Sequence, residues 1–168
     1  MIISLNKDFL SHYYVLHNFF HIFYNFKSAP LSNEFGSYVG YVQVYEFHSN
    51  ESSWKQLGNS MFAKEFGSQS GSRVALSGDG NRVIFGSIGE IFKTSDEPRS
   101  KVLIFDLIDA FWIQVGPNIL ADTTDNAFGS SVSISSDGKR AAVGAPSSDC
   151  IDVRQCGVVH VYEFDSDA

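Results

Sequence analysis

The stretch Phe128-Gly129-Ser130-Ser131-Val132-Ser133-Ile134-Ser135-Ser136-Asp137-Gly138-Lys139-Arg140-Ala141-Ala142-Val143-Gly144-Ala145-Pro146 decides the fold. Val132 and Ile134 alternate with serine, the period-two signature of a half-buried strand. Asp137-Gly138 marks a tight hairpin turn, because glycine accepts the positive φ that side chains resist. Arg140 to Ala145 then returns as a second strand of small residues, which suits a position where backbones converge. Pro146 ends that strand, since proline has no amide hydrogen for a ladder.

Much of this pattern occurs 58 residues earlier. Ser70-Gly71-Ser72-Arg73-Val74-Ala75-Leu76-Ser77 aligns with Phe128 to Ser135, Asp79-Gly80-Asn81-Arg82 with Asp137 to Arg140, and Gly86 with Gly144. Ser53-Trp54-Lys55-Gln56-Leu57-Gly58 aligns at the same offset with Phe111-Trp112-Ile113-Gln114-Val115-Gly116. A further element occurs three times, starting at Gly40, Ser100 and Gly157, with spacings of 60 and 57, so the variable length lies just before it. Its last copy, Val158 to Phe164, is apolar at nearly every position and predicts a strand covered on both faces. A short polar turn leads on to a fourth strand carrying Trp54 or Trp112, which reads as packing between repeats rather than ligand stacking. Four antiparallel strands in each 58-residue period predict an all-β chain, a partial β-propeller of four-stranded antiparallel blades.

Phe128-Gly129 followed by Gly144-Ala145-Pro146 resembles the FG-GAP repeat of integrin α-subunit propellers. The wider pattern is similar to the FG-GAP-like repeats of large uncharacterised algal and protist proteins. The resemblance covers residues 28–168. The middle copy departs from it: Ser70-Gly71 stands for Phe-Gly and Gly86-Ser87-Ile88 for Gly-Ala-Pro, with Phe66-Gly67 as a second candidate pair. Ser28-Ala29-Pro30 reads as the tail of a copy whose front half is missing. Residues 40–58 supply strands three and four of one blade, 71–116 a full blade and 129–164 strands one to three of another, about two blades in total. Closed propellers take about four to eight, so the ring needs further blades of a longer protein or self-association. The resemblance implies a non-catalytic module for binding or adhesion, with a protein or glycan ligand met on the loops Thr94–Ser100 and Ser147–Arg154, where length varies between copies.

Residues 1–27 are a different kind of sequence. They hold eight of the 24 aromatic residues, three of the five histidines, and only Lys7, Asp8 and Lys27 as charges. Asp8, His12, His17, Asn18 and His21 interrupt the apolar runs, which argues against a secretory signal and does not support a membrane helix. A helix would place Tyr13, Leu16, Phe20, Phe23 and Tyr24 on one stripe. The other reading is a mispredicted start, since AT-rich untranslated DNA encodes such residues. His17 and His21 stand four apart, but no third ligand accompanies them, and no metal is assigned.

The chain has 168 residues and a net charge of −7, which argues against nucleic acid or an anionic membrane as partner. No nucleophile elbow, phosphate loop, dinucleotide fingerprint or zinc set occurs, so no catalytic residue and no cofactor is assigned. His160 reads as a packed strand residue, and His48 falls in a turn. Ser135-Ser136-Asp137-Gly138 offers one carboxylate where a calcium loop needs several oxygens, and reads as a plain turn. The Ser-x-Asp-Gly turns faintly resemble sialidase Asp-boxes, so the alternative function is a glycan-processing propeller whose catalytic residues lie outside this chain. A defunct gene fragment with no folded product is a third reading. Cys150 and Cys156, the only cysteines, share one loop and either form a disulfide or stay as thiols. Asn50-Glu51-Ser52 is a glycosylation sequon in a turn. Together these lean toward an extracellular or cell-surface setting.

Overall fold

A computed structural model describes residues 16–19, 22–28, 39–64, 67–88, 100–122 and 127–164. Among these residues every regular element is a strand, and every ladder between named strands is antiparallel. The elements are β1 (Leu16–Phe19), β2 (Ile22–Ser28), β3 (Val42–His48), β4 (Ser53–Met61), β5 (Ser70–Leu76), β6 (Arg82–Ile88), β7 (Ser100–Ile108), β8 (Phe111–Gln114), β9 (Ile119–Leu120), β10 (Ser131–Ile134), β11 (Arg140–Ala145) and β12 (Val158–Glu163). They form three meanders: β1-β2-β3-β4, then β5-β6-β7-β8 with β9 also on β7, then β10-β11-β12.

The ladders carry the 58-residue offset in their register. Arg73 pairs with Gly86 in the second sheet, and Ser131 pairs with Gly144 in the third. Both hairpins turn through the same chemistry. In the first, the Ser77 hydroxyl donates to the Asp79 carboxylate at 2.6 Å and accepts the Arg82 amide at 2.9 Å. In the second, Ser135 donates to Asp137 at 2.6 Å and accepts the Arg140 amide at 2.9 Å. The Asn81 and Lys139 amides complete the turns, each 3.1 Å from the aspartate. Serine and aspartate thus occupy backbone groups that a hairpin end would leave bare, and Gly80 and Gly138 take the positive φ of 77° and 71°.

Strands alternate their side chains between two cores. Val83, Phe85, Leu103 and Phe105 of the second sheet meet Val42, Val44 and Met61 of the first, with Trp112 in the same cluster. Ile84, Val102 and Ile104, on the opposite face, meet Ala141, Val143 and Ala145 of the third sheet together with Phe128 from the turn before it. The second sheet is therefore buried on both faces. Each fully buried Phe or Ile contributes about 1.5–3 kcal/mol in apolar burial.

Three expectations change. The helical stripe from Tyr13 to Tyr24 does not form where the segment is described: β1 and β2 are strands that pair with each other and with β3. Ile, Phe and Tyr are good strand formers, and the edge of β3 offers them a ladder, which a lone surface helix lacks. The first sheet consequently has four strands rather than two, and β2 runs across the expected boundary between residues 27 and 28. His17 lies on β1 and His21 outside the described residues, so the helical spacing of the pair does not apply. Ser28 pairs with Val42 just as Gly86 pairs with Val102 and Gly144 with Val159, which puts Ser28 in the register of those glycines. Finally, β12 is not covered on both faces: Val159 and Val161 are 69% and 70% exposed. Their counterparts Val102 and Ile104 are buried because the third sheet lies on them, and no described sheet lies on the Val159–Val161 face of β12.

Candidate functional site

The connection from β11 to β12, residues 146–157, is the most elaborated loop among the described residues. Pro146 stops the ladder, and the Ser148 amide donates back to the Ala145 carbonyl at 3.2 Å. Cys150 and Val153 bond to each other through both backbone pairs, at 2.8 and 3.3 Å. The Asp149 carboxylate accepts the Gln155 amide at 2.8 Å. Cys150 and Cys156 are joined as a disulfide, with Cα atoms 5.9 Å apart. The loop is thus tied at three levels, and Asp152 and Gln155 hold positive φ within it. Its tip presents Ile151 at 91% exposure, next to Val153 at 55%. Apolar side chains held out on a cross-linked loop lose little conformational freedom on binding, which favours recognition. The loop Thr94–Ser100 lies outside the described residues except for Ser100, which begins β7.

The repeat-motif residues sit where the sheets touch. Phe128 is fully buried between the second and third sheets, edge-on to the His160 ring at 5.7 Å. Gly129 packs against Gly86, and a side chain on Gly86 would run into the Gly129 carbonyl. At Gly144 a side chain would meet the Ser131 hydroxyl, which unlike a backbone carbonyl can rotate aside. Ala145 is buried, and Pro146 follows it as the exit from the sheet. Asp137 and Gly138 form the β10–β11 turn. The Asp137 carboxyl is held below its ordinary value by the Ser135 hydroxyl and the Lys139 amide. For Asp79, burial would raise the pKa, and the hydrogen bonds from Ser77 and Asn81 outweigh it. These aspartates are engaged in their own turns.

The two tryptophans have different fates. Trp112 is 3% exposed, and its indole N–H donates to the Leu57 carbonyl at 2.8 Å. It lies over Gly58, where a Cβ would come 2.7 Å from the indole Cδ1. Trp54 is 39% exposed and tilts against Phe47 at 5.2 Å. Asn50 lies in the exposed turn between β3 and β4. His160, between the Phe128 and Tyr162 rings, sits within the packing. His48 stands 3.4 Å from Glu46 at the end of β3.

Sequence reasoning missed one polar tie. Arg82 grips Asp106 through two bonds of 2.6 and 2.7 Å, donates to the Gly138 carbonyl at 2.8 Å and lies over the Phe164 ring. The signal was present, since Arg82 and Arg140 follow the two Asp-Gly turns at the same distance, but the partners are 24 and 56 residues away. Among the described residues, no three His, Cys, Asp or Glu side chains converge to hold a metal, and no helix is long and apolar enough to cross a membrane. No protein-family model matches the chain, and no curated protein matches it.

Proposed function

We propose that the three sheets are blades of an FG-GAP-like β-propeller that acts as a non-catalytic binding or adhesion module. Further blades of a longer protein, or self-association, would complete the ring. The blade reading is supported by three successive antiparallel meanders in one register, with a Phe-Gly pair wedged between two of them. The observation that carries the binding role is the disulfide-tied loop 146–157, which holds Ile151 out at 91% exposure. The turn aspartates are committed to their own hairpins and Arg82 to joining the second and third sheets, which leaves this loop as the feature best suited to recognition. Its ligand would be a protein or glycan surface with an apolar recess.

The test is to apply the purified chain and its Ile151→Asp variant to protein and glycan arrays, with a glycosidase screen alongside. Selective capture that disappears in the variant supports the binding role. Identical capture by both proteins, or turnover of a glycoside, overturns it.

A further inference from the structure

The second sheet has a fourth strand beside β7, whereas the described path of the third sheet ends at β12. In the filled case, Trp112 of β8 pairs with Leu107, faces the first sheet and covers Gly58. The counterpart of Gly58 is Gly116, with the same left-handed backbone, φ 67° against 71°. Gln56 donates to the Gly58 carbonyl at 3.0 Å, and Gln114 donates to the Gly116 carbonyl at 3.3 Å, so the local frame is repeated. The occupancy is not repeated, because no described residue comes within 4 Å of the point where a Gly116 Cβ would stand. The position equivalent to Leu107 on β12's path is Phe164, which is packed against the core between the second and third sheets. A strand laid along β12 in the register of β8 would set its tryptophan opposite Phe164 and over Gly116.

We propose that the outer edge of β12 and the open position over Gly116 form a docking site for one extended strand of the Trp-x-Gln-x-Gly type, supplied by another repeat segment. Backbone ladder bonds to β12 would provide the bulk of the contact. The indole would fill the space over Gly116 and donate to the Val115 carbonyl, as Trp112 does to Leu57. One contact is not reproduced: Asn59 bonds the backbone of Trp112 at 2.8 and 3.3 Å, and Pro117 stands in its place. An intact second copy is not the occupant. Its two strands of this type, β4 and β8, are already paired with β3 and β7. The site rests on the repeat geometry and shares no residue with the loop 146–157, so failure here is separable from failure of the recognition loop.

The experiment uses the full chain and a fluorescently labelled peptide of residues 108–118. Anisotropy is expected to show saturable one-to-one binding, with amide exchange slowed across Val158–Glu163. Replacing the peptide tryptophan (Trp112→Ala) is expected to weaken binding by at least about tenfold. That arm leaves the protein unaltered, so folding does not confuse it. A Gly116→Asn protein, which tolerates left-handed φ while filling the space, is expected to bind the native peptide less tightly. Equal binding of both peptides, protection confined to other strands, or a dimer through β12 that the peptide does not displace would each overturn the proposal.

Discussion

The Arg82 guanidinium lies 4.4 Å above the centre of the Phe164 ring while two of its nitrogens hold Asp106. One side chain on the second sheet thereby joins its own β7 to the turn and the end of the third sheet. The hydrogen bond to Asp106 favours the charged guanidinium and outweighs its partial burial. The repeat-equivalent pair, Arg140 with Glu163, is looser at 3.3 Å and about 70% exposed on each side.

Arg82→Met is therefore expected to destabilise the chain by about 2–3 kcal/mol, since it strands Asp106 and removes the ring contact. Arg140→Met is expected to cost less than about 0.5 kcal/mol, as exposed pairs do. Urea denaturation of the two variants checks the difference, and equal costs would contradict the bridging role.

Gly86→Ala is expected to cost about 3 kcal/mol, because its Cβ meets the Gly129 carbonyl, a backbone atom that cannot swing away. Gly116→Ala has open space among the described residues and bears only the cost of its positive φ, about 1–2 kcal/mol. Thermal midpoints of the two proteins separate steric closure from backbone strain.

Trp112→Ala removes a buried ring between two sheets and is expected to cost about 3–5 kcal/mol. Trp54→Ala loses mainly its contact with Phe47, expected at about 0.5–1.5 kcal/mol. Single-tryptophan fluorescence should show Trp112 as the blue-shifted emitter and Trp54 as the one quenched by iodide.

Asp79 and Asp137 have folded-state pKa values below the ordinary 3.8. Their contribution is fully present above that value and is lost as the pH falls through the lower folded values. Stability should therefore fall on acidification below about pH 4, and Asp79→Asn with Asp137→Asn should flatten the decline. Urea midpoints across the acid range measure it.

Reducing the disulfide, or Cys150→Ser with Cys156→Ser, is expected to lower stability by about 2 kcal/mol, the loop-closure term for so short a loop. Amide exchange should quicken in residues 146–157 while the β5–β8 ladders keep their protection.

The repeat, the strands from β3 onward other than β9, and the Asp-Gly hairpins were legible because each is written in neighbouring residues: a period of two, a glycine at the turn, a proline at the exit. The pairing of β1 and β2 with β3 was not. Their aromatic residues suit a helical stripe and a strand alike, and only the unfilled edge of β3 decides between them. The exposure of one face of β12 was equally hidden, since Val159 and Val161 have the composition of buried residues and lose that status only where no described sheet lies above them.

What the sequence determined by itself was the class and the period: all-β, with its strands repeating every 58 residues, because alternation and turn chemistry act over a few bonds. What only the tertiary structure decided was occupancy. Trp112 is buried and Trp54 is not, Gly58 is covered and Gly116 is open, Arg82 is clamped and Arg140 is loose. Each pair shares a motif, and the members differ because burial depends on the sheet that lies opposite, which no local run of residues records.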